Sequence, residues 1–189
     1  MLKSVSDGLH RISTGWVALV ALAVFALFTA LVLPAQSVSA PGAADVGSPD
    51  TSFFYTSDDL YRMAEAYGEE GRSDYVRARA TFDVVWPVVY TAFLTTGISW
   101  LTRRAFPPAS LWQRANLAPV LGMLFDYLEG IAASIVMLRY PSRTAGIDLL
   151  TPLFTMTKWL LVGASFVILL IVLAVVLWRG IGGRNCRAN

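Results

Sequence analysis

Chemically versatile side chains are scarce in this chain of 189 residues. It has one cysteine, Cys186, and one histidine, His10. A single Cys excludes an internal disulfide framework and a CxxC redox pair. With a single His beside it, zinc sites of ordinary spacing are excluded too. Charge is also thin, at 15% of residues, where an ordinary soluble domain carries about 25%. The net charge of +2 is too small for a nucleic-acid binder, so no nucleic-acid partner is expected. No cofactor or metal is expected either. Apolar residues are abundant instead: 56% of the chain, with mean hydropathy +0.56. A globule of 20.6 kDa cannot hide that excess, so the lipid bilayer must be part of the solvent.

A membrane helix needs about 20 largely apolar residues to cross a core of about 30 Å. Four segments meet that need: 15–33, 83–102, 114–138 and 152–178. Trp16, Trp86, Trp100, Trp159 and Trp178 fall near their ends, where an interfacial aromatic belt belongs. No strand-like alternation is present, and lipid tolerates no unpaired backbone. The expected fold is therefore all-α, a four-helix transmembrane bundle with a short amphipathic helix in the extracytoplasmic loop. The first segment has a second reading. Lys3 and Arg11 precede it and Val38-Ser39-Ala40 resembles a signal-peptidase site. Its length and Pro41 after the cut favour a retained anchor.

Four spans place both termini on one side. That side would hold Lys3, Arg11, Arg103, Arg104, Arg114, Arg179, Arg184 and Arg187, with Asp7 as its acid. Basic residues favour the cytoplasmic face, so both termini are expected in the cytoplasm. Thirteen Arg against two Lys, with much Ala and Val, suggest a high-GC bacterial genome, a compositional association, and with it a bacterial cytoplasmic membrane. The segments between spans divide as 1–14, an interfacial stretch with Leu2, Val5, Leu9 and Ile12 on one face; 34–82, extracytoplasmic; 103–113, cytoplasmic; 139–151, extracytoplasmic; and 179–189, a cytoplasmic tail. Cys186 in that tail is expected unmodified, acylation being the alternative. Residues 34–50 read as a flexible linker rich in Pro, Ala, Gly and Ser. Thr56 and Asp59 have capping-box spacing. Leu60, Met63, Ala64 and Tyr67 then recur at helical intervals before Gly68, which predicts a helix over about 57–67. Ser73 is placed to cap a second helix leading into the second span.

The third span carries the chemistry. Ala115, Pro119, Gly122, Asp126, Glu129 and Ala133 recur in steps of four and three, a stripe of small or polar residues down one face. That stripe should face protein, and Leu117, Val120, Leu121, Leu124, Phe125, Leu128, Ile131, Ile135 and Leu138 should face lipid. Asp126 and Glu129 share this face near mid-span. A carboxylate there costs about 2.5–3.5 kcal/mol on insertion scales. Two together imply compensation by a proton, a cation or hydrogen bonds. Lys158 is a candidate partner. A rise of 1.5 Å per residue puts it about 9 Å down the fourth span, and Glu129 about 14 Å down the antiparallel third span. Thr91, Thr95 and Ser99 form a polar stripe on the second span, flanked by Tyr90. These residues are expected to enclose a polar core around Asp126 and Glu129.

Catalytic readings fail on composition. There is no HExxH, no dinucleotide-binding glycine pattern and no P-loop. A His-activated serine needs a histidine in the membrane, and His10 is outside. Asp126-Tyr127-Leu128-Glu129 has the shape of an acidic magnesium motif but lacks a second copy within the membrane. Two readings remain. One is a non-catalytic membrane protein acting by helix–helix association, as an accessory or assembly subunit or a homo-oligomer. The other is a small transporter or receptor binding a cation, a proton or a polar lipid at Asp126 and Glu129.

Overall fold

The computed structural model describes residues 2–36 and 46–185. The Val38-Ser39-Ala40 motif, most of the linker and Cys186 lie outside the described residues. Among the described residues the fold is all-α, without a strand. Helix α1 spans Leu2–Ile12. Helix α2 spans Gly15–Leu27 and continues through a π-helical turn, Phe28–Val32, into Leu33–Gln36. Helix α3 covers Ser57–Ala80 and α4 covers Phe82–Ala105. A 3-10 segment, Leu111–Leu117, leads into α5, Ala118–Arg139, and α6 runs from Ile147 to Asn185. Four of these stretches, Gly15–Val32, Phe82–Ala105, Leu111–Arg139 and Ile147–Gly180, are long and apolar enough to cross a membrane.

The long helices touch unequally. Helices α5 and α6 form the most extensive contact. Gly122 explains their closeness: a Cβ there would stand 3.0 Å from Val162 Cγ2 and 3.6 Å from the Val162 nitrogen. Helix α4 packs across both. Helix α2 is peripheral, with no fully buried residue, and leans on α4 through stacked rings. Phe25 lies 4.6 Å from Phe93 and Phe28 5.5 Å from Trp86, centroid to centroid. Pro87 sits one turn inside α4. A proline there disturbs backbone bonds one turn back, and the Tyr127 hydroxyl donates to the Val84 carbonyl at 2.8 Å.

Helix α3 is not an isolated loop helix. It starts on the Thr56–Asp59 capping box, with both reciprocal bonds made. Gly68 breaks it at φ 64°, a conformation glycine adopts without a Cβ clash, and a second helical half follows. The Ala64 carbonyl before the break accepts from Arg72 Nη1 at 2.9 Å. Leu60, Met63, Ala64, Tyr67 and Tyr75 are buried on one face, against Ala133, Val136 and Met137 of α5. The opposite face exposes Asp58, Arg62, Glu65, Glu69, Glu70, Asp74 and Arg77. Helix α3 is thus a cap laid on the ends of α5 and α6.

Two helix starts differ from the sequence reading. The last helix begins one turn before Thr151, at Ile147, with Asp148 in its first turn. Thr151 is buried inside this helix and its hydroxyl turns back to the Ile147 carbonyl. The third apolar stretch begins earlier, with the 3-10 turn capped by Ser110.

Replacing Gly122 by Val should force α5 and α6 apart. Overpacking of this kind costs about 1–3 kcal/mol, read as a lower unfolding temperature in detergent; an unchanged temperature would refute the close contact. The Asp59 carboxyl is lowered from 3.8 to about 2 by the Thr56 hydroxyl, the Thr56 N–H and Arg62. The stability this adds is full above 3.8 and is lost as pH falls toward about 2. Amide exchange at residues 57–64 should therefore accelerate over that window, and Asp59→Asn should remove the acceleration.

Candidate functional site

The small-residue stripe of α5 is buried where Pro119, Gly122, Glu129 and Ala133 fall. Of the residues expected on its other side, Leu121, Leu124, Ile131 and Leu138 are exposed, whereas Leu117, Val120, Phe125, Leu128 and Ile135 are half-buried. Glu129 is fully buried, and the Asp126 side chain keeps 11% of its exposure. Between them lies Lys158 of α6. Its ammonium pairs with Glu129 Oε2 and stands 3.6 Å from Asp126 Oδ1. Tyr90 of α4 donates its hydroxyl to Asp126 Oδ2 at 2.9 Å. One lysine and one tyrosine thus join three long helices at a pair of carboxylates. Glu129 Oε1 is buried without a hydrogen-bond partner.

The polar stripe of α4 divides. Thr91 donates to the Pro119 carbonyl at 3.4 Å. Thr95 is buried and its hydroxyl has no partner. Ser99 is not in the acidic cluster. It accepts from Asn116 Nδ2 at 2.9 Å, and Asn116 accepts from the Ser6 hydroxyl at 2.8 Å. Asn116 also donates to the Ser6 carbonyl at 3.2 Å. This neutral cluster clamps α1 to α4 and to the 3-10 turn. Helix α1 therefore buries its serine face and exposes Leu2, Val5 and Ile12.

The cap supplies residues the sequence reading missed. Arg79, with 9% of its side chain exposed, pairs with Asp50 and lies 3.2 Å from Asp83. Its guanidinium covers the Tyr75 ring at 4.8 Å. Its stem lies over Gly130, where a Cβ would meet Arg79 Cδ at 3.5 Å, an ordinary contact distance. Burial lowers the Arg79 pKa, while Asp83, Glu129 and Asp126 oppose that shift; an arginine stays protonated regardless. Burial also pushes the Tyr55 and Tyr75 hydroxyls up, with Glu129 adding to both, so both remain neutral. Tyr55 pairs with the Thr155 hydroxyl at 2.8 Å. Tyr75 OH and Arg79 Nε have no hydrogen-bond partner. The i, i+4 spacing of Tyr75, Arg79 and Asp83 was a signal of a shared face.

Chemically, the arrangement holds ionised groups in register. Among the described residues no group of three or more His, Cys, Asp or Glu side chains is placed to hold a metal ion. No family model, curated protein or solved structure matches the chain.

Removing the lysine tests the site. Lys158→Met leaves two buried carboxylates without their cation, and breaking a buried pair costs about 3–5 kcal/mol. Unfolding in detergent should show that loss. The double variant Lys158→Met/Glu129→Leu should recover a large part of it; a double variant as unstable as the single one would refute direct pairing as the cause.

Proposed function

We propose that this is a non-catalytic integral membrane protein, a four-helix bundle that works by association as an accessory or assembly subunit or a homo-oligomer. Its place would be the bacterial cytoplasmic membrane, with both termini in the cytoplasm and the cap outside. The observation that carries the reading is the docked cap. One face of α3 is buried on α5 and Arg79 is buried in ion pairs, so the opposite face stands as a rigid surface. That face carries five acids, Asp58, Glu65, Glu69, Glu70 and Asp74, and two bases, Arg62 and Arg77. A fixed surface of this kind suits a partner with basic complementarity. The polar groups within the bundle largely engage one another and set helix register, a recognised use of buried ion pairs.

One observation favours the second reading, in which Asp126 and Glu129 bind a cation, a proton or a polar lipid. Two ion groups, Asp50 and Asp83 around Arg79 and Asp126 and Glu129 around Lys158, each hold two carboxylates against one cation. Glu129 Oε1 is also left unpartnered.

A paired assay separates the two. Asp126→Asn and Glu129→Gln should fold and retain co-purified partner or self-association, and reconstituted vesicles should show no cation or proton flux. Charge reversal at Glu65, Glu69 and Glu70 should reduce association. A pH-dependent flux abolished by both neutral variants would overturn the association reading in favour of the second.

A further inference from the structure

At the far end from the cap, α1 folds against the turn between α4 and α5 and leaves a pocket of about 240 Å³. Asp7, His10, Arg103, Phe106, Pro108 and Gln113 line it. Its acceptors are unusual in being free. The Asp7 carboxylate is exposed and joins no ion pair among the described residues. His10 Nε2 lies 2.9 Å from the Gln113 carbonyl. A carbonyl only accepts, so Nε2 carries the hydrogen and Nδ1 of the neutral ring is an acceptor. That Nδ1 is buried and unpartnered. Gln113 Nε2 donates to the carbonyls of Thr102, Phe106 and Pro107 at 3.2, 3.1 and 3.3 Å. Those bonds fix the amide orientation and leave Gln113 Oε1 as a second buried, unpartnered acceptor.

The Asp7 carboxylate, the His10 ring and the Gln113 amide thus line one pocket. A primary ammonium has three N–H donors and a positive charge. Arg103 supplies the opposite charge beside them. Its Nη1 donates to the His10 carbonyl at 2.9 Å, leaving the rest of the guanidinium to meet an anion such as a phosphate. The stacked rings of Phe106 and Trp112, 5.2 Å apart, stand at the same end of α4. Nearby α1 exposes Leu2, Val5 and Ile12, the outward apolar face of an interfacial helix. We propose that this pocket binds the headgroup of an aminophospholipid, with its primary ammonium on Asp7, above His10 and Gln113, and its phosphate on Arg103. His10 Nδ1 and Gln113 Oε1 lie beneath the pocket surface, so the exposed Asp7 carboxylate makes the direct contact with the ammonium and these two acceptors add negative potential below it.

The test is native mass spectrometry and thermal unfolding of the full chain in lipid nanodiscs. Phosphatidylethanolamine and phosphatidylcholine are compared, because they share the phosphate but the choline nitrogen has no N–H. The ethanolamine lipid should be retained about tenfold better, equivalent to about 1.4 kcal/mol. Asp7→Asn should remove that preference without changing the unfolding temperature in phosphatidylcholine, and Asp7→Glu should restore part of it. Arg103→Gln should weaken retention of both lipids. Equal retention of the two lipids by the unaltered chain, or an unchanged preference in Asp7→Asn, overturns the proposal. Soluble phosphoethanolamine in phosphatidylcholine discs forms a further arm. Stabilisation there equal to that of the lipid would overturn the membrane source, whereas a weaker effect supports it.

Discussion

An ion in a low-dielectric interior must be paired, and in this protein that constraint fixes how the long helices meet. Lys158 is the pivot. Its ammonium touches Glu129 and approaches Asp126, and Tyr90 completes Asp126 from a third helix. Sliding α6 by one residue would move its lysine about 1.5 Å along the axis and rotate it about 100°. The two carboxylates would then lose their cation. Packing alone is less selective. The stripe through Gly122 allows close approach, but small residues in series also allow neighbouring registers. Steric fit brings α5 and α6 together, and charge selects one alignment.

The cap follows from the same constraint. The ion pairs beneath the cap run from Arg79 and Asp83, at the start of α4, to Lys158, Glu129 and Asp126 deeper in the bundle, and their surroundings decide their strength. Helix α3 closes over them with the aromatic side chains of Tyr67 and Tyr75, joined by Tyr55 just before the helix. It also adds Arg79, which shares the space above Gly130. Burial of that guanidinium disfavours its charge, and the neighbouring acids restore it. The cap and the helices beneath it are therefore mutually dependent. The apolar face of α3 needs Val136 and Met137 for burial, while Asp83 needs Arg79 for a partner.

The sequence makes some of this legible and hides the rest for physical reasons. The α5 stripe was readable because a helix repeats every 3.6 residues and lipid rejects polar side chains. The Lys158 pairing was readable because antiparallel neighbours share one axial scale. Arg79 was hidden. In a polar loop a charged residue on a helix resembles a solvated one, and Arg77, two positions earlier, is indeed exposed. Only the fold decides which of the two turns inward. Ser99 was assigned to the wrong cluster because spacing along one helix says nothing of what stands opposite each turn. Its partner, Asn116, lies at the entry to α5, where a polar residue invites no comment. Helix α1 inverts the usual rule, burying Ser6 and exposing Leu2, Val5 and Ile12, because Asn116 gives its serine two hydrogen bonds.

The two ends of the molecule answer one problem with different chemistry. Near the cap the helices are joined by ionised groups; at the other end Ser6, Asn116 and Ser99 join them by neutral hydrogen bonds. Neutral groups carry a smaller desolvation cost, so they need no lid, and a single amide can satisfy two helices and a backbone carbonyl at once. Ions cost more to bury but discriminate more sharply, because a misplaced charge is penalised far more than a misplaced hydroxyl. The ionic cluster sits where a folded cap can shield it. The neutral cluster sits where only a short interfacial helix covers it. The placement of charge thus matches the amount of structure available to keep it from water and lipid, which is why α3 is the larger cap and α1 the smaller.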